Sequence, residues 1–189
     1  MARWEPDARG RFVEAALALY GERGFEKTTV AEIAERAGLT ERTFFRHFAD
    51  KREVLFGGGD ALQELIVRSV ANAPASLAPI DAAAAGLEAA GTEFFIQERR
   101  ETSRQRQTVI DANPELQERE LTKLASLSAA IADALRRRGL GDPAASLTAE
   151  VAIAVFKTAF ERWIDDTNER EFTQLVRESL DQVRALTAA

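Results

Sequence analysis

The sequence predicts an all-α protein of about nine helices. An N-terminal three-helix helix-turn-helix domain covers residues 1–52, and a larger helical domain covers residues 53–189. Three observations carry this reading. No stretch alternates apolar and polar residues as a strand does, while Leu, Ala, Glu and Arg dominate. The eleven glycines and five prolines fall mostly where helices should begin or end. Residues 28–51, TTVAEIAERAGLTERTFFRHFADK, describe two short helices around a glycine turn, with the polar face of the second left unburied. A chain of 189 residues has room for a module of about 50 residues plus a body with its own core.

The first helix is expected over residues 7–22, with Phe12, Ala16, Leu19 and Tyr20 covering the two helices that follow. Arg3, Arg9 and Arg11 belong to its solvated surface, within reach of a DNA backbone. Thr29 followed by Glu32 is a capping box that opens a second helix over residues 30–37. Ile33, Ala34 and Ala37 share its packing face, and Gly38 ends it where a left-handed residue costs least. Leu39 plugs the angle between helices. Thr40 caps a third helix, residues 41–48, whose buried side carries Phe44 and Phe48.

A fourth helix opens at Asp50-Lys51-Arg52-Glu53 and extends to residue 72, interrupted by Gly57-Gly58-Gly59. That run is either a close backbone approach or a joint between head and body. Residues 73–80, with Pro74 and Pro79, form a loop. Asp81 caps a fifth helix to residue 99, and a short sixth covers residues 103–111. Asn113-Pro114-Glu115 combines a cap, a first-turn proline and a carboxylate, starting a seventh helix to residue 138. Arg136-Arg137-Arg138 before Gly139 is best explained as helix-terminal cations before a capping glycine.

The eighth helix starts at Asp142-Pro143 and runs to residue 165. It is apolar nearly all round, with Glu150, Lys157 and Glu161 in one polar window. Leu147, Val151, Ala154, Val155 and Thr158 form one side, and Ile153, Phe156, Phe160, Trp163 and Ile164 the other. Such a helix must be buried on opposite sides, by a central place in the body or by a partner chain. The ninth, over residues 169–186, repeats Phe172, Leu175, Val176, Leu180, Val183 and Leu186.

Composition excludes several classes of function. With no cysteine, disulfides and thiolate metal sites are out, which fits a cytoplasmic protein. No leader and no long apolar run is present, so neither secretion nor membrane insertion is expected. The one histidine, His47, lies in the third helix, and neither a phosphate loop nor paired metal-binding carboxylates accompany it. No enzyme, cofactor or metal is predicted. The net charge of −6 argues against a general polyanion binder, but residues 1–56 balance at zero. Between residues 36 and 52, five basic residues (Arg36, Arg42, Arg46, Lys51, Arg52) oppose Glu41 and Asp50. An acidic body with a locally basic head suits a sequence-selective DNA binder. An ordinary helical hairpin with a solvated charged face is the competing explanation, as part of a protein-interaction or small-molecule-binding module.

Residues 12–55 resemble the DNA-binding domain of TetR/AcrR transcriptional regulators. The matching residues are Phe12, Ala15, Ala16, Leu19 and Tyr20, then Gly24-Phe25, Thr28-Thr29-Val30 and Ile33-Ala34. Ala37-Gly38-Leu39-Thr40, Thr43-Phe44-Phe45, Phe48, Lys51 and Leu55 continue the match. The resemblance implies that residues 41–48 enter the major groove and that Lys51 reaches a phosphate. The DNA-facing set is then Thr29, Thr40, Glu41, Arg42, Thr43, Phe45, Arg46, His47 and Lys51. Many members have tyrosine where this chain has Phe45, which keeps the apolar contact and loses the hydroxyl.

The same resemblance implies a homodimer on a palindromic double-stranded operator. Helices eight and nine would pair across the two-fold through Leu147, Val151, Val155, Thr158, Phe172, Val176, Leu180 and Val183. It also implies a mostly apolar cavity for a small-molecule effector, with Leu62, Ile66, Phe94, Phe95, Arg104, Thr108, Leu121 and Leu124 as candidate lining. Arg104 or Arg106 would meet an acidic headgroup. Core packing remains the alternative for Phe94 and Phe95. A repressor released by an apolar or amphipathic ligand is the leading expectation, and a ligand-independent architectural or activating DNA binder the second.

Overall fold

A computed structural model describes residues 8–188, so Arg3 and the expected helix start at Asp7 lie outside the described residues. Among the described residues there are ten α-helices, one 3-10 turn and no strand. Two compact units divide the chain: one holds residues up to Gly58 together with Gln105–Glu120, the other Gly59–Arg104 together with the chain from Leu121 onward.

In the first unit, α1 (Ala8–Arg23) ends at Gly24, whose φ of 85° lets its N–H bond to the Tyr20 carbonyl. The capping box opens α2 (Val30–Ala37): Thr29 Oγ accepts the Glu32 N–H at 3.3 Å, and Glu32 accepts the Thr29 N–H at 2.9 Å. Gly38, in the left-handed region, closes it. Arg11 donates to the Ala37 carbonyl at that same end. Next, α3 (Glu41–His47) is capped by Thr40, whose hydroxyl accepts the Thr43 N–H at 3.2 Å, and Phe48 ends it in extended backbone. Asp50 accepts the Arg52 and Glu53 N–H groups, turning the chain into the short α4 (Glu53–Phe56).

The interruption in the predicted fourth helix is a break: α5 (Gly59–Asn72) is a separate element. Counting α4 and α5 as one interrupted helix recovers the expected nine. The glycine at 57 has a steric reason, since a Cβ there would stand 2.9 Å from Phe48 Cε1. In the second unit, α6 (Pro79–Glu93) begins with Pro79, so Asp81 sits in its first turn instead of capping it. It also ends earlier than predicted. The Phe94 and Phe95 N–H groups both bond to the Ala90 carbonyl, and Phe95 turns into the core to stack on Phe172 at 4.5 Å. A 3-10 turn over Gln97–Arg99 then leads into α7 (Arg100–Asp111).

Asn113 does not act as the predicted side-chain cap of α8 (Pro114–Arg137). Its amide donates to the Val109 carbonyl at 2.6 Å and closes the end of α7. Gly139, at φ 93°, follows α8 as expected, and Arg138 donates to the Val70 and Pro74 carbonyls where α5 ends. The final pair is α9 (Ala144–Ile164) and α10 (Phe172–Thr187). The second unit's core joins Ile66, Leu87, Ile131, Ile153, Trp163 and Phe172. Gly86 and Gly91 let α6 lie tight against its neighbours: added Cβ atoms would meet Val70 at 2.9 Å and Thr173 at 2.6 Å. No described helix is long and apolar enough to cross a membrane.

Candidate nucleic-acid interface

The reading head is built from an aromatic base outward. Phe12 meets Phe44 edge-on at 5.2 Å and Phe48 at 6.1 Å, while Phe44 and Phe48 lie 5.3 Å apart. All three rings are buried with Ile33, Ala34 and Leu19. They fix the inner face of α3, because edge-to-face packing at these distances resists rotation of the helix. Ile110 and Leu116 join the same core from α7 and α8. Arg106 of α7 donates to the Leu55 carbonyl at 2.6 Å and lies 5.0 Å over the Phe56 ring. Burial lowers its pKa, against the opposing pull of Glu120.

The outer face of α3 presents Glu41, Arg42, Phe45 and Arg46, all exposed. Neither Arg42 nor Arg46 forms a salt bridge or side-chain hydrogen bond with a described residue. Phe45 is 54% exposed yet rests edge-on against Phe44 at 5.4 Å. An arginine pair with an apolar side chain between them suits base edges, thymine methyls and phosphates.

The remaining predicted contacts are placed differently. Thr40 and Thr43 share a hydroxyl contact of 3.0 Å at the head of α3. Thr29 is engaged by Glu32, whose carboxylate lies across the start of α2 and pairs with Arg23 at 2.7 Å. Hydrogen bonds from the Thr29 backbone and hydroxyl, with Arg23 adding, lower the Glu32 pKa. His47 is half-buried, its ring 6.3 Å from Phe12 and 6.4 Å from Phe48. Lys51 turns inward, its ammonium 2.9 Å from the Phe25 carbonyl.

The basic stretch seen by counting therefore shrinks. Arg36 is bidentate to Glu22 and Arg52 to Asp50. Those partners raise the pKa values of Arg36 and Arg52, through hydrogen bonds first and Coulomb attraction second. Of the five basic residues between 36 and 52, Arg42 and Arg46 alone are left on the surface without a described partner.

The candidate ligand set is divided between the two units. Ile66 and Phe95 belong to the packed core of the second unit, with Leu62, Phe94 and Leu124 partly buried against it. Leu121 is exposed, Thr108 belongs to the first unit, and Arg104 pairs with Glu101 and Asp166. A surface groove of about 380 Å³ is lined by Asp60, Gln63, Glu64, Val67, Ala130, Asp133 and Arg137, none of them predicted.

The candidate dimer set divides as well. Val155, Phe172, Val176 and Leu180 are buried within the chain itself, which leaves them no surface for a second copy: the first three belong to the second unit's core, where Phe172 stacks on Phe95. Leu147, at 62% exposure, the exposed Thr158 and the half-buried Val151 and Val183 remain available. Ala154 and Leu186, absent from the predicted set, are exposed too.

Comparison with known proteins matches both parts of the chain. Residues 12–56 match the family model described as bacterial regulatory proteins, tetR family, and residues 77–188 match the MftR C-terminal domain. MftR of Mycobacterium tuberculosis, named for regulating transcription in mycofactocin biosynthesis, is 30% identical over 156 residues, 81% of this chain and 78% of that protein. The regulator TcmR of Streptomyces glaucescens is 39% identical over 74 residues, where the match spans only 33% of its length. SmeT, the repressor of the Stenotrophomonas maltophilia efflux pump SmeDEF, shares the fold. Its triclosan complex superposes with a TM-score of 0.66 at 20% identity, over 95% of this chain and 90% of that one. With its N-terminal and C-terminal parts both matched, the chain belongs to the TetR family: it is a DNA-binding transcriptional regulator, and its relatives are regulators, not enzymes.

Proposed function

We propose that the protein is a homodimeric repressor that lays α3 of each subunit into successive major grooves of a palindromic operator. The observation that carries this reading is the outer face of α3, with Arg42 and Arg46 exposed and without described partners around Phe45, above a locked aromatic base. Thr40, Glu41 and Thr43 stand at the start of α3, half-buried His47 at its end, and Thr29 at the start of α2. Half-sites about one helical turn apart, ~34–36 Å, are the geometry such pairs require.

Dimerisation through α9 and α10 is supported by an open stripe. Leu147, Val151, Ala154 and Thr158 recur at helical spacing along α9, and Val183 and Leu186 add apolar area on α10. Release by an apolar or amphipathic ligand is supported by the likeness to SmeT, a repressor seen with triclosan. A ligand preferring the non-binding shape by about 2.7 kcal/mol would weaken operator affinity roughly 100-fold. The packed cluster of Phe95, Phe156, Trp163 and Phe172 favours the second reading, a DNA binder that answers to no ligand.

Selecting genomic fragments with the purified protein, alongside Leu147→Glu, tests the proposal. The wild type is expected to enrich a palindrome, and Leu147→Glu to sediment as a monomer and lose it. Enrichment of no sequence, or of an unsymmetrical site by a monomer, would refute the dimeric repressor.

A further inference from the structure

The open face of α9 carries charges that the chain itself leaves unused. Glu150, Lys157 and Glu161 are exposed and line one edge of the stripe made by Leu147, Val151, Ala154 and Thr158. Neither Lys157 nor Glu161 has an ion pair or side-chain hydrogen bond with a described residue. They stand four apart on one helix with the lysine first, the weaker order for such a pair. Glu150 is steadied from α8: the buried Ser128 hydroxyl donates to its Oε1 at 2.6 Å, and Oε2 has no described partner.

Ala154 is the midpoint of α9 and the smallest residue of the stripe, so two such helices crossing there approach most closely. A two-fold axis that lays the helix antiparallel on its copy brings the same edge of both together, in reversed order. Glu150 precedes Ala154 by four residues and Lys157 follows it by three. With the axis at Ala154, each lysine therefore falls level with the glutamate of the other chain. Val151 and Thr158 meet in the same way along the opposite edge. A parallel pairing would instead set each charged edge against the Val151 flank of the other helix, with Lys157 unpaired.

We propose that α9 selects a second copy of this chain by charge: Lys157 of each protomer pairs with Glu150 of the other, in an antiparallel crossing centred on Ala154. Edge charges of this kind set partner and orientation more than affinity, because a helix with a different charge order meets its own sign and is rejected. Ser128 holds Glu150 in place for the contact. The inference rests on the dimeric reading and adds to it the register and the choice of partner; it does not depend on any effector.

Sedimentation of Lys157→Glu and Glu150→Lys in the full chain, each alone and then mixed, tests the charges. Each alone should dimerise at least about tenfold more weakly than wild type, because two like-charged contacts replace two pairs. Mixed, they should form a heterodimer about as tight as the wild-type dimer, since both contacts are again of opposite sign. Single variants as tight as wild type, or a mixture no tighter than the single variants, would overturn the pairing. The register is read by disulfide cross-linking, which a sequence without cysteine makes unambiguous. Ala154→Cys should cross-link two copies on oxidation. Leu147→Cys should not, because its two copies would stand roughly 21 Å apart along the helices, beyond the ~7 Å that a disulfide spans. The reverse result would overturn the crossing. A wild type that stays monomeric, its stripe bare or covered by another protein, sinks the dimeric reading itself; a wild-type dimer indifferent to these charges sinks only the pairing.

Discussion

Arg42 and Arg46 are available because their neighbours are not. Arg36 is held by Glu22 and Arg52 by Asp50, so the field in front of α3 comes from two guanidinium groups and not from a broad basic patch. A count over residues 36–52 could not show this, because Glu22 lies fourteen positions before Arg36 and meets it only after α1 and α2 have packed. The Thr29–Glu32 capping box was legible, because its two members stand three residues apart and bond locally. Its pH behaviour follows from the same bonds. Glu32 has its carboxyl below the ordinary 4.5, chiefly through the Thr29 backbone N–H. A depressed carboxyl pKa stabilises the fold above the unfolded value and loses that contribution as pH falls through the folded one. Glu32→Gln should therefore melt earlier than wild type near neutral pH, with the gap closing below pH 4.5 as the wild-type carboxyl is protonated. Melting curves from pH 7 down to about 3 check the sign; a gap that widens toward acid would contradict the cap.

Elements were legible where their ends are written locally and illegible where packing writes them. Gly38, Gly139 and Pro114 punctuate helices as their chemistry requires. The end of α6 at Glu93 gave no such sign, because it is set by Phe95 folding back onto Phe172, a residue 77 positions away. The wheel of α9 showed two apolar sides, but not that α10 buries Phe172, Leu175, Val176 and Leu180 within the chain itself. Gly57 and Gly59 separate the two explanations of the glycine run. Gly57→Ala would press on the buried Phe48 ring and should cost about 1–3 kcal/mol in denaturant unfolding. Gly59→Ala meets open space at the start of α5 and should stabilise by about 0.5–1 kcal/mol. Equal effects at the two positions would show that the approach to Phe48 does not require glycine at 57.

At the scale of the whole molecule, charge is divided along the chain: zero balance through residue 56 and −6 beyond it. An acidic body opposes indiscriminate adhesion to DNA, and on the proposed reading affinity depends on a few contacts by α3. Fold class and family were legible because the head's core residues and caps form one dense local pattern; the operator sequence and any effector are not, because neither is encoded in any residue spacing. The account stands on α3 as the element that reads DNA. Its most direct test is the affinity of Arg42→Ala/Arg46→Ala, against wild type, for a fragment selected by the wild-type protein, at fixed salt. With base contacts at roughly 1–3 kcal/mol each, the double variant should bind at least about tenfold more weakly while melting as wild type does. Unchanged affinity in a folded variant would contradict the account.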